Sequence, residues 1–155
     1  MRSMTPEEID ILAVKAKWAT IVTVSPDGRP YAIEATPFFM DDSVCFMINP
    51  DGATRWNLES NNRVLLKITF ASKDVSMWAG VSLEGTGAFS RDPDVIVRGW
   101  RALGALMDED YSDSAAKFSK TPERSPLLMV RVDGKSGRCS AKPGEPMPAY
   151  WKCRP

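Results

Sequence analysis

The stretch 44–70, VCFMINPDGATRWNLESNNRVLLKITF, constrains the fold of this chain more than any other. It reads as a short apolar strand, a loop Asn49-Pro50-Asp51-Gly52, one or two helical turns carrying Thr54 and Arg55, and a second strand. A strand that ends in a glycine-containing loop and feeds a helix start leaves backbone N–H groups unpaired there. A hydroxyl and a guanidinium beside those groups make a phosphate cradle.

On either side of this stretch the pattern is mostly β. Thr5-Pro6-Glu7-Glu8 combines an N-cap hydroxyl, proline at the first helical position and a glutamate three residues after the cap, so residues 5–17 are predicted as an amphipathic helix. Residues 18–24 (WATIVTV) and 31–39 flank the turn cluster Ser25-Pro26-Asp27-Gly28 and read as a hairpin. Met40-Asp41-Asp42-Ser43 turns the chain into 44–48, the third strand in succession. Residues 63–70 and 76–89 follow as the fourth and fifth strands. In the fifth, Gly80, Gly85 and Gly87 predict bulges or close backbone approach. Asp92-Pro93 caps a second helix with Ile96, Trp100, Leu103 and Met107 on one face, 114–120 adds a short third, and 127–132 is the sixth strand. After Asp133-Gly134 the chain turns Gly/Pro-rich, and 141–155 reads as an extended tail that docks through its aromatics. Strands in hairpin order with one small helix between the third and fourth suit a closed antiparallel barrel, because closure removes exposed edges. The expected fold is α+β: a six-stranded antiparallel split β-barrel with Greek-key connections, forming one domain over 1–155.

Composition excludes several functions. The 20 basic and 20 acidic residues cancel, which leaves no electrostatic footprint for nucleic acid or an anionic membrane. No apolar run approaches bilayer length and Met1-Arg2-Ser3-Met4 leads straight into a polar helix start, so a cytoplasmic protein is expected. The 3 cysteines, Cys45, Cys139 and Cys153, lack metal-ligand spacing and are expected as free thiols. Cys45 is expected buried and inert; Cys139 and Cys153, placed in a flexible end, are reactive if exposed. The chain has 0 histidines, which removes Ser-His-Asp and Cys-His hydrolysis and His-based metal sites. Chemistry is therefore expected from a bound cofactor.

Taken in order, these residues resemble the FMN-binding split β-barrel family, also called pyridoxamine 5′-phosphate oxidase-like. The likeness runs over 5–133: the N-terminal helix, the Asp27-Gly28-Arg29-Pro30 turn, Phe46-Met47-Ile48-Asn49, the Thr54-Arg55 pair opening the small helix, Asn61-Asn62-Arg63-Val64, and Val81-Ser82-Leu83-Glu84-Gly85-Thr86-Gly87. The resemblance implies FMN held non-covalently at a homodimer interface. It implies a phosphate gripped by Arg55 with Thr54 and Asn49, and a ring lying near Glu34, Ala35, Met47, Ile48, Trp78 and Ala79. It further implies a flavin-dependent oxidoreductase, with a non-catalytic flavin-binding or electron-transfer module, or a barrel using deazaflavin F420, as the alternatives. Two departures stand out. The Arg-x-His of true pyridoxamine 5′-phosphate oxidases cannot exist in a chain without histidine, and Trp56 stands where a second basic residue is usual. Haem is disfavoured for the same lack, leaving Cys, Met or Tyr as axial ligands.

Two charges on strands have ordinary explanations beside functional ones. Lys67, amid Leu65, Leu66 and Ile68, is expected to face solvent or snorkel, since alternation puts it on the face of Leu65 and Thr69. Glu34 is expected either at an exposed strand position or near the cofactor.

Overall fold

A computed structural model describes residues 1–147. In chain order its elements are β1 (Arg2–Ser3), α1 (Pro6–Lys15), β2 (Ala19–Val24), β3 (Pro30–Ala35), β4 (Phe38–Met40), β5 (Ser43–Met47), α2 (Ala53–Ser60), β6 (Arg63–Ala71), β7 (Trp78–Phe89), α3 (Pro93–Met107), α4 (Ser112–Ser119) and β8 (Leu127–Cys139). A 3-10 turn, Pro122–Arg124, precedes β8. Among the described residues no helix is long and apolar enough to cross a membrane.

The strands form a single antiparallel sheet in the order β3-β2-β6-β7-β8-β5-β4, with β1 paired to β8. The two edge strands, β3 and β4, are consecutive in the chain and separated only by Thr36 and Pro37. Three trans peptide steps span at most about 11 Å, so the two edges of the sheet must come together. The sheet therefore curls into a split barrel whose seam is bridged covalently by Thr36-Pro37.

This arrangement corrects the expected strand count. Residues 31–39 form two strands because Pro37 has no N–H for a ladder and is buried where the chain turns from one edge to the other. The pair Arg2–Ser3 adds a further strand against Arg138 and Cys139, giving 8 in place of six. The sixth expected strand, 127–132, runs on past Asp133-Gly134 to Cys139, since that pair sits in a bulge within the ladder. Glu84 pairs with Gly134 and Gly85 with Val132, leaving Asp133 as the extra residue. A Cβ on Gly85 would lie 2.2 Å from the Arg131 carbonyl oxygen, so only glycine fits opposite the bulge.

The helices form where the caps predicted them. Thr5 and Glu8 complete a capping box at α1, and the Asp92 side chain accepts from the N–H groups of Asp94 and Val95 at α3. The barrel interior holds Ile21, Phe46, Leu66, Ile68, Val81 and Val130, and Ile9 and Leu12 of α1 pack onto it. A second cluster, Phe38, Cys45 and Leu127, lies under Val95, Ala102 and Leu103 of α3 on the outer side of β4, β5 and β8. Ala141 and Met147 join the barrel core, so the described part of the tail packs against its own barrel. Its aromatics, Tyr150 and Trp151, lie outside the described residues.

Candidate functional site

The loop between β5 and α2 is folded by its own side chain. Asn49 Oδ1 accepts from the Asp51 N–H at 3.0 Å, and the Asn49 carbonyl accepts from the Gly52 N–H at 3.3 Å. Gly52 is the N-cap of α2 and supplies no side-chain hydrogen bond; of the first-turn N–H groups, that of Arg55 donates back to the Gly52 carbonyl at 3.1 Å. Thr54 and Arg55 sit in that first turn, both buried. Asn57 anchors the helix to the barrel by donating to Thr23 Oγ1 at 3.0 Å, with both groups buried.

Arg55 is only 7% exposed. Its Nη1 donates to the Glu123 carbonyl at 3.2 Å and its Nη2 to the Ser125 carbonyl at 2.5 Å. Its Cζ stands 4.1 Å from the centre of the Phe89 ring. Nε is buried with no partner, and no carboxylate lies within ion-pair distance among the described residues. Burial pushes its pKa down from the ordinary value; the fields of Glu59 and Asp51 oppose this, and that of Arg91 adds to it. The fork expected to be open for phosphate is thus turned to main-chain carbonyls. The 3-10 turn Pro122–Arg124 brings those carbonyls from 68 and 70 residues away, an approach that no local pattern reveals.

Adjoining this loop is a cavity of about 400 Å³. It brings together Glu34, Ala35, Met47, Ile48 and Asn49, from the end of β3 and the end of β5. Thr54, Arg55, Trp78 and Ala79 are not on its wall. Ala79 is sealed in the barrel core, and the Trp78 N–H donates to Ser140 Oγ at 3.1 Å, on a strand separated from β3 by β2 and β6. The wall also includes Trp18, Leu103, Met107 and Tyr111, none of which the sequence marked as site residues. Leu103 and Met107 were legible as one helical face; that this face ends over a cavity was not. Two larger hollows, of about 660 and 650 Å³, lie between α3 and α4 and beside α1, and contain none of the expected residues.

Glu34 is exposed and makes no hydrogen bond or ion pair among the described residues. Lys67 lies on the same cross-strand row, through Thr20, but donates to Ser82 Oγ at 2.6 Å. Its half-buried position matches the snorkelling lysine expected there.

The cysteines divide differently from expectation. Cys45 is buried, and burial first, then the nearby Asp41 charge, pushes its thiol up to about 12, which makes it inert. Cys139 is not in a flexible end: it closes β8 with no exposure, opposite Ala79. Cys153 lies outside the described residues. Among the described residues no three His, Cys, Asp or Glu side chains converge as metal ligands.

The fold has counterparts among solved structures. A conserved hypothetical protein of Mycobacterium tuberculosis superposes with a TM-score of 0.73 at 19% identity, over 92% of this chain and 89% of that one. A FAD-binding protein of Mesorhizobium loti gives 0.67 at 18% identity, over 90% and 98%. The haem storage protein HutZ of Vibrio cholerae gives 0.64 at 16% identity, over 84% and 92%. At such identities the likeness is one of fold. No curated protein matches the sequence. A family model described as pyridoxamine 5′-phosphate oxidase matches residues 5–136, from the capping box of α1 to the far side of the β8 bulge. That match spans the whole curled sheet, and the chain belongs to the pyridoxamine 5′-phosphate oxidase-like family of flavin-binding split barrels.

Proposed function

We propose that the protein binds FMN non-covalently and acts as a flavin-dependent oxidoreductase on a small molecule, working in the cytoplasm as a homodimer with the cofactor at the interface. The observation that carries this reading is Arg55. A buried guanidinium with an orphaned Nε and no carboxylate in reach, beside an uncapped helix N-terminus, is a site short of an anion. A phosphate monoester at the start of α2 supplies that charge, with Thr54 and Asn49 as the neighbouring polar groups. Glu34, Ala35, Met47 and Ile48 then flank the ring in the adjoining cavity. Trp78 and Ala79, also expected beside the ring, do not line this cavity.

Bound FMN accepts or donates a hydride, chemistry that the side chains of this chain do not provide. The protein's own residues bind and orient. Trp18, Leu103 and Met107 supply apolar surface to the cavity. An open cavity favours catalysis over a storage or electron-transfer module, in which the ring would be covered. The buried free thiols of Cys45 and Cys139 suit a reducing compartment.

The absorption spectrum of the purified protein, repeated after adding FMN, tests the reading. A flavin spectrum, or quenching of FMN fluorescence on mixing, is the expected result. Colourless protein that leaves FMN fluorescence unchanged overturns it.

A further inference from the structure

Arg55 by itself does not balance the charge of the group assigned to it. A phosphate monoester carries about 1.5 to 2 negative charges at neutral pH. Arg55 brings one positive charge, on a fork already turned to the carbonyls of Glu123 and Ser125. Asp51, directly before the Gly52 N-cap, adds a further negative charge beside the helix start.

The 3-10 turn that faces Arg55 carries a second cation to the same place. Its last residue, Arg124, donates from Nη2 to Asp51 Oδ2, while the Glu123 carbonyl accepts from Arg55 Nη1. Two consecutive residues of the turn thus grip the two ends of the stretch 51–55, which fixes the Arg124 guanidinium next to the N-cap of α2. Asp51 engages one nitrogen of that guanidinium. Nε and Nη1 of Arg124 make no hydrogen bond among the described residues, and the side chain is 63% exposed. Two donors therefore stay open at a helix start where Arg55 Nε is buried without a partner. An ion pair as exposed as Arg124–Asp51 contributes little, so a doubly charged ligand can share it or displace it. Arg91 is near enough for its field to act on Arg55, but its side chain makes no hydrogen bond or ion pair among the described residues that would hold it at the loop.

We propose that Arg124 is the second phosphate-binding cation of this site, brought by the 3-10 turn and tethered by Asp51, and that the group it takes is a phosphate monoester in its dianionic form. The inference rests on the flavin reading for the molecule that carries the phosphate.

Fluorescence titration of the full chain with FMN and with riboflavin, which lacks the phosphate, isolates the contact. Phosphorus NMR line broadening of inorganic phosphate reports the anion site without the ring. Arg124→Gln is expected to cut the preference for FMN over riboflavin about fivefold, less than a fully buried charge-assisted contact because the side chain is open to solvent. Riboflavin affinity stays unchanged, Arg124→Lys keeps most of the preference, and Arg91→Gln keeps all of it. Lowering the pH through the second phosphate ionisation near about 6 weakens FMN binding more in the unmodified protein than in Arg124→Gln. A preference unaltered by Arg124→Gln, or one that falls in Arg91→Gln instead, overturns the inference and leaves the flavin reading intact. An equal loss for both flavins marks a structural role and overturns it as well. Arg124-dependent broadening of phosphate in protein that binds neither flavin overturns the flavin reading and supports the anion site. Absence of binding by both flavins and by phosphate overturns both.

Discussion

At the scale of single residues, Arg55 and Gly85 give the clearest tests. If Arg55 supplies the charge for the FMN phosphate, Arg55→Ala weakens FMN binding by about tenfold or more, the loss of a charge-assisted contact worth about 1.5–3 kcal/mol. Fluorescence quenching reads the change, with far-ultraviolet circular dichroism as a check, because the substitution also strips the Glu123 and Ser125 carbonyls of their donors. An unchanged dissociation constant places the phosphate elsewhere. Gly85→Ala puts a Cβ 2.2 Å from a backbone oxygen that cannot move aside as a side chain would. The expected cost is about 2–3 kcal/mol, measured as a fall in the urea midpoint; an unshifted midpoint contradicts the bulge geometry. The sequence marked Gly80, Gly85 and Gly87 alike. A Cβ would meet Arg131 O at Gly85 and Val64 Cγ2, at 2.9 Å, at Gly87, whereas Gly80 has open space. Residue type shows that the backbone could come close; only the packed neighbour shows whether it does.

At the scale of elements, α1 shows local code operating without help from elsewhere, with one tertiary addition. The Glu8 carboxylate accepts from the Thr5 N–H at 2.9 Å, as its position three residues after the cap predicts, and also pairs with Arg2 at 2.6 Å. The Arg2 hydrogen bond, more than any other contact, lowers its pKa from 4.5 to about 2; burial opposes this, and the Thr5 N–H reinforces it. Because the folded-state pKa is depressed, this stabilisation is complete above the unfolded value of 4.5 and is lost as pH falls toward 2. Glu8→Gln is therefore expected to be less stable than the parent at pH 7 by about 1 kcal/mol, with the difference closing between pH 4.5 and 2. Urea melts of both proteins across that range check it; a constant difference removes Glu8 as the titrating group. α2 behaves in the opposite way. Gly52 offers no cap, so the helix start depends on Asn57 bonding to Thr23 and Arg55 bonding to the segment before β8.

At the scale of the whole molecule, α3 covers the outer side of β4, β5 and β8, while the row Glu34, Thr20 and Lys67 on β3, β2 and β6 is left outside that cover. If the proposed homodimer forms, sedimentation is expected to give a dimer that FMN tightens. A monomer both with and without FMN rejects an interface cofactor. The sequence by itself determined the order and type of the elements, since alternation, caps and turn residues act over a few neighbours. It placed the α1 capping box, the β2–β3 hairpin with Gly28 at φ 84° and the short helix after Asn49. It misread 31–39 as one strand and ended the sixth strand at 132, because the seam and the bulge exist only once strands pair. Tertiary structure alone decided that Arg55 meets carbonyls 68 and 70 residues away, that Cys139 is sealed in β8, and that Trp18, Leu103, Met107 and Tyr111 line the cavity. Such contacts join groups far apart in the chain, and which of them form depends on how the curled sheet brings its two edges together across Thr36 and Pro37.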